Sequence, residues 1–161
     1  MLGLKRKYVI IIIFAIVVSI VGVYGYFNYF GPQTVMQTKS GPDCRQGNVL
    51  AGTGRQARFL VLSTCEKAVG VVHDMTGQRQ DDGDYQFNID VDEPYKRLLN
   101  DGNMKQVNGM LVVEIIPKDQ NNPYVAIPKN GDRIEVYGAW VTDKPHGWNE
   151  IHPAWNVTVI K

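Results

Sequence analysis

Cysteine is scarce in this chain of 161 residues: Cys44 and Cys65 are the only two, and they do not form a C-x-x-C pair. A thiol redox motif is therefore excluded, and so is a cysteine-built zinc site, because two thiolates alone leave the ligand set incomplete. Basic runs are short, the longest being Lys5-Arg6-Lys7. The electrostatic footprint of a general nucleic-acid binder is missing, and no nucleic-acid partner is expected. The chain also has no P-loop, no G-x-G-x-x-G and no H-E-x-x-H. These absences remove the phosphate-cradling loop, the dinucleotide fingerprint and the helix-borne zinc hydrolase pattern. With no internal repeat, a solenoid is excluded as well. His73 beside Asp74 suggests a general base and its orienting acid. Ser63 and Thr64 have no elbow motif around them, so the triad logic stays incomplete and no catalytic residue is assigned.

One long hydrophobic run is present. Residues 8–27 (YVIIIIFAIVVSIVGVYGYF) carry no charge and have the length of a bilayer-spanning helix, about 20 residues. Lys5, Arg6 and Lys7 precede it, and no Lys or Arg follows until Lys39. The positive-inside rule then places residues 1–7 in the cytoplasm and everything after the span outside. Tyr24, Tyr26, Phe27, Tyr29 and Phe30 extend the anchor to 8–30 as an aromatic belt. A cleaved signal peptide would end in small residues rather than in these rings. The expectation is a single-pass protein of the cell membrane, with an integral membrane protein as its partner. Beyond the span, fourteen basic side chains face sixteen acidic ones, a balance of −2. In an oxidising compartment the even cysteine count points to a Cys44–Cys65 disulfide, worth about 3 kcal/mol in the chain-entropy account. Residues 31–54, rich in Gly, Pro, Gln, Ser and Thr, read as a tether, and 55–161 as the outer domain.

That domain alternates as strands do. Tyr85, Phe87, Ile89 and Val91 interleave with polar residues, and residues 110–116 (MLVVEII) are apolar except for Glu114. A buried Glu114 needs a partner, and Arg58, Arg133 and His73 are the candidates; a position facing outward at a bulge is the alternative. Residues 58–73 form two strands, or one strand bent around Cys65-Glu66-Lys67. Asp92 and Pro94 open a short helix, with Gly102 as its stop. The last stretch, 131–161, is a hairpin with its turn at residues 143–148 and an edge or bulge at Pro153. Ile134, Val136 and Trp140 share one face of its first arm, and Ile151, Trp155, Val157 and Val159 one face of its second. Glu150, His152, Asn156 and Thr158 take the opposite, solvated face. The fold class is all-β: a small antiparallel barrel, OB-like, with one short helix, following one transmembrane helix. An Ig-like sandwich would need about seven strands and no such helix.

The string HGWNEIHPAW, with the GDRIEVYGAWVTD strand before it and DGDYQFNID further upstream, resembles a set of small, mostly exported OB-like domains. These share an H-G-W-x-E-I-H-P signature and have no assigned activity. The resemblance covers residues 68–159; it implies the barrel and carries no chemistry with it. DGDY also has a distant likeness to the D-G-D-T of staphylococcal-type nucleases, without the accompanying Arg and Glu set.

Chemistry concentrates at His146, Trp148, Glu150 and His152. Ligands of such barrels meet the loop joining the last two strands and the loop after the first, which adds Arg79 and Asp81 to the ligand- or partner-binding set. Glu150 and His152 leave one strand face together, and His146 approaches from the turn. Two imidazoles and a carboxylate suit zinc or copper, with a coordination position left open. No cofactor is required by any motif. Asn156-Val157-Thr158 is an N-x-T glycosylation sequon. The expected function is a membrane-anchored, extracytoplasmic binding or accessory module; a metal protein using His146, Glu150 and His152 is the alternative.

Overall fold

The structure is a computed structural model that describes residues 41, 43–79 and 81–161. The expected cytoplasmic stub, the anchor at 8–30 and the tether as far as residue 40 lie outside the described residues. Among those described, no helix is long and apolar enough to cross a membrane.

Five strands form where the sequence alternates or runs apolar: β1 (Phe59–His73), β2 (Tyr85–Val91), β3 (Leu111–Ile115), β4 (Arg133–Asp143) and β5 (Trp148–Ile160). They close into a barrel in the order β1-β2-β3-β5-β4. Every neighbouring pair is antiparallel except β3 and β5, which run parallel. The all-β barrel read from the sequence is what forms. Residues 59–73 make one strand rather than two, and its register against β4 slips between Val61 and Glu66. The helical segment consequently falls between β2 and β3.

That segment has two parts, a 3-10 turn at Glu93–Leu98 and a helix α1 at Asp101–Gln106. Gly102 does not stop a helix; it sits in the first turn of α1. A Cβ at Gly102 would lie 2.1 Å from the Gly147 carbonyl oxygen, so only glycine lets α1 approach the β4–β5 turn this closely. Asn100 and Asn103 cap α1 reciprocally, each side chain accepting from the other's backbone N–H. Asn103, fully buried, donates to the carbonyls of Met110 and Asn149 and accepts from Asn149 N–H. These bonds fix the start of β5 to α1.

Two cores result. Phe87, Ile89, Leu111, Val113, Ile115, Ile134, Val136 and Ile151 fill the barrel, with Leu98 packed among them. A smaller outer cluster joins Val49, Leu50, Phe59, Cys65, Ala139, Val141 and Trp155. Trp155 does not share a face with Ile151 as simple alternation requires. Gly138 pairs with Ala154 while Trp140 pairs with Ile151, a slip that turns Ala154 into the barrel and Trp155 out of it. The bulge expected at Pro153 is this irregularity. Cys44 and Cys65 are joined, with Cα atoms 5.5 Å apart. Val49 and Leu50 are buried against the outer sheet surface, so the chain before residue 55 contributes to the domain and is not all tether. Burying two such side chains contributes roughly 1.5–3 kcal/mol each.

Candidate functional site

Strand alternation builds the site. Val113 and Ile115 point into the barrel, so Glu114 between them points out; Ile151 points in, so Glu150 and His152 point out. β3 and β5 are parallel neighbours with Val112 opposite Glu150 and Val113 opposite Ile151, which brings these outward side chains together. The sequence reading leaves this face to solvent. The structure covers it: relative exposure is 1% for Glu150, 5% for His152 and 8% for Glu114. Phe59 lies over His152, ring centroids 4.6 Å apart. The β1–β2 loop adds Arg79, Asp81, Asp82 and Asp84, and Gly52, Gly54, Arg55 and Arg58 complete the lining. Together they enclose a cleft of about 370 Å³ into which Glu114 and His152 open.

His152 is the centre of this cluster. Its Nδ1 lies 2.5 Å from Glu114 Oε2 and 3.3 Å from Glu150 Oε1, and its Nε2 lies 3.9 Å from Asp84 Oδ2. Neither His152 Nδ1 nor Glu150 Oε1 is in an aligned hydrogen bond, although both atoms are shielded from solvent. Such atoms are costly unless a charge partner compensates them. The other Glu150 oxygen, Oε2, accepts from Trp148 Nε1 at 2.8 Å. Arg79 Nη1 stands 3.9 Å from Glu114 Oε1, while the same guanidinium clamps Asp81 through Nε and Nη2 and reaches Gln86. The partners of Glu114 are thus His152 and Arg79. Of the three partners expected for it, Arg133 pairs with Asp92, Arg58 with Asp143, and His73 sits at the exposed end of β1.

Proton affinities follow from this crowding. Burial alone would lower His152, but Glu114 and Glu150 outweigh it and raise the imidazole to about 10. Asp84 is pushed up to about 7, chiefly by burial and then by Asp82 and Glu114. Burial also raises Glu150. Three carboxyl groups, those of Asp84, Glu114 and Glu150, converge on one imidazole, with Arg79 a second cation near Glu114.

Asp84, Glu114 and His152 each offer a ligand atom, and these atoms lie within 4.8 Å of one another. This buried group can hold a metal ion. Ligand atoms at tetrahedral zinc, about 2.0–2.2 Å from the ion, stand roughly 3.4 Å apart, so binding would draw the three slightly inward. Glu114 Oε2 and Glu150 Oε1 both face His152 Nδ1, which leaves Nε2, on the Asp84 side, as the nitrogen open to an ion.

The set expected from sequence, His146, Glu150 and His152, does not assemble. His146 Nδ1 is 2.6 Å from Asp143 Oδ2 and 3.1 Å from Arg58 Nη2, and its ring stacks on Trp148 at a centroid distance of 4.3 Å. The β4–β5 turn therefore engages His146 with Asp143 and Arg58, outside the Asp84, Glu114 and His152 group, while Trp148 reaches that group only through its bond to Glu150. Arg79 and Asp81 do line the cleft. Asn156 is half-buried and donates from Nδ2 to Asp43 Oδ1 at 3.1 Å, so the sequon amide is already engaged. Asp74, beside His73, accepts from Asn88 and makes a strand-end contact. Asp84 escaped sequence reasoning because a turn aspartate has no distinguishing pattern. Glu114 left a signal, a lone charge in an apolar strand, but its partner lay 38 positions away on a strand not known to be its neighbour.

No family model matches the chain, and no curated protein or solved structure matches it either.

Proposed function

We propose that this protein is a membrane-tethered, extracytoplasmic OB-like binding module whose cleft takes a divalent metal ion on Asp84, Glu114 and His152. One observation carries the metal assignment: three ligating side chains from the β1–β2 loop, β3 and β5 meet in a buried group beside atoms without aligned partners. The strand order with parallel β3 and β5 supports the OB-like reading. The helix between β2 and β3 departs from the usual OB arrangement, where it follows the third strand. In that architecture the β1–β2 loop and the β2–β3 face are customary binding elements, and the cleft uses both the loop and β3. The carboxylate-rich donor set favours zinc or manganese over copper.

The charge-free run at 8–27, its basic flank and the disulfide support placement outside a membrane. A tether there would keep the cleft near the bilayer and raise its effective concentration toward an integral membrane partner. Elemental analysis of full-length protein purified in detergent tests the metal assignment. One equivalent of zinc or manganese is expected, and it should be lost in Asp84→Asn and in Glu114→Gln, which preserve side-chain shape. Purified protein that neither carries nor takes up either metal would refute it.

A further inference from the structure

The same cleft has a second kind of wall. Gly52, Gly54, Arg55 and Arg58 line it together with the acidic cluster and Arg79. The three arginines stand in different states. Arg58 is committed to Asp143 and approaches His146; Arg79 is committed to Asp81. Arg55 is exposed, and among the described residues its side chain has no ion pair or hydrogen bond. Its backbone is held in the left-handed region, φ 48°, at the entry to the 3-10 turn Gln56–Arg58. A non-glycine residue in that region is uncommon and persists where the surroundings impose it. Gly54 beside it leaves the wall open, since a Cβ there would meet no atom within 4 Å.

Charge then decides what fits. Arg55, Arg58, Arg79 and His152 share the lining with Asp81, Asp82, Asp84 and Glu114, four basic side chains to four acidic ones. A divalent ion adds positive charge and an electrophilic centre to a cleft of about 370 Å³, room for a small oxyanion. Guanidinium groups recognise phosphoryl oxygens through paired N–H donors, and a metal takes a further oxygen.

Resting on the metal assignment above, we propose that the metal-loaded cleft binds a phosphoryl oxyanion. Arg55 is its free guanidinium contact, and Arg58 and Arg79 flank it. The ligand is a phosphate or phosphomonoester, and binding depends on the ion because the ion supplies the electrophilic centre that takes a phosphoryl oxygen. Soluble phosphates and phosphomonoester lipid headgroups share this chemistry.

The test is calorimetric titration of full-length protein in detergent, first with Mn²⁺ and then with inorganic phosphate or dihexanoyl phosphatidic acid. One anion equivalent should bind the Mn²⁺-loaded protein and none the metal-free protein. Arg55→Gln should weaken anion binding about tenfold, the loss of one charge-assisted hydrogen bond, and leave Mn²⁺ affinity unchanged. Tighter binding of the lipid would mark a headgroup ligand, and tighter binding of phosphate a soluble one. Mn²⁺ binding without uptake of either anion overturns this proposal alone. So does anion binding that ignores the metal or the Arg55→Gln change. Failure of both Mn²⁺ and Zn²⁺ to bind overturns both readings.

Discussion

Glu114 shows what one residue can and cannot reveal. Its charge inside an apolar run is legible in the sequence, and burial makes a partner obligatory. Which partner it takes is a property of the β3–β5 contact, and the sequence offers no local sign of that pairing. His152 and Glu150 were misplaced for the same reason: alternation shows that they share a face, but not that Phe59 and the β1–β2 loop cover it. A second residue-scale case is Asp143. Burial pushes its carboxyl up, but Arg58 and then His146 outweigh burial and hold it below the ordinary aspartate value. A folded-state value below the unfolded one means that this group stabilises the fold above the usual aspartate range, about 3.9, and loses that contribution as pH falls through the lowered value. Comparing denaturant midpoints of the wild type and Asp143→Asn from neutral to acid pH measures it. The difference should be largest near neutrality and shrink below pH 4. A difference that is constant with pH would show that Asp143 does not act through its charge.

At the scale of elements, the sequence identifies strands better than it identifies their registers. β2, β3 and both arms of the last hairpin follow directly from alternation and apolar runs. Pro153 marks an irregularity in the second arm, but the part Gly138 plays in the slip is not visible, because it depends on what a side chain would meet across the hairpin. A Cβ there would lie 2.3 Å from Ile151 Cγ2 and 2.5 Å from the Pro153 carbonyl oxygen. Gly102 was misread for a related reason: glycine reads as a helix stop, whereas here it permits close approach to Gly147. Gly102→Ala should therefore destabilise the domain by about 1–3 kcal/mol, although alanine is the better helix former. Urea unfolding would measure the change, and a stabilised variant would mean that α1 does not press on the β4–β5 turn. The same contact predicts altered fluorescence of Trp148 in that variant, because the turn that carries it must move.

For the molecule as a whole, fold class was legible and the site's location was not. Five or six strands, a short helical segment and one disulfide can be counted from sequence. Closure in the order β1-β2-β3-β5-β4 is what sets β3 beside β5 and creates a covered outer face. The disulfide ties Cys44 to β1, and Trp155 Nε1 donates to the Asp43 carbonyl close by, so the outer core depends on this staple. Replacing both cysteines by serine should cost about 3 kcal/mol in unfolding experiments. No loss of stability would mean that the segment from Asp43 to Leu50 docks without it. The central claim is that ion binding belongs to the covered β3–β5 face and not to the surface turn. Metal affinity of His152→Ala against His146→Ala, measured by calorimetry on folded full-length chains, tests it most directly. The account predicts that the first loses binding and the second retains wild-type affinity. Equal loss in both, or loss only in His146→Ala, would contradict it.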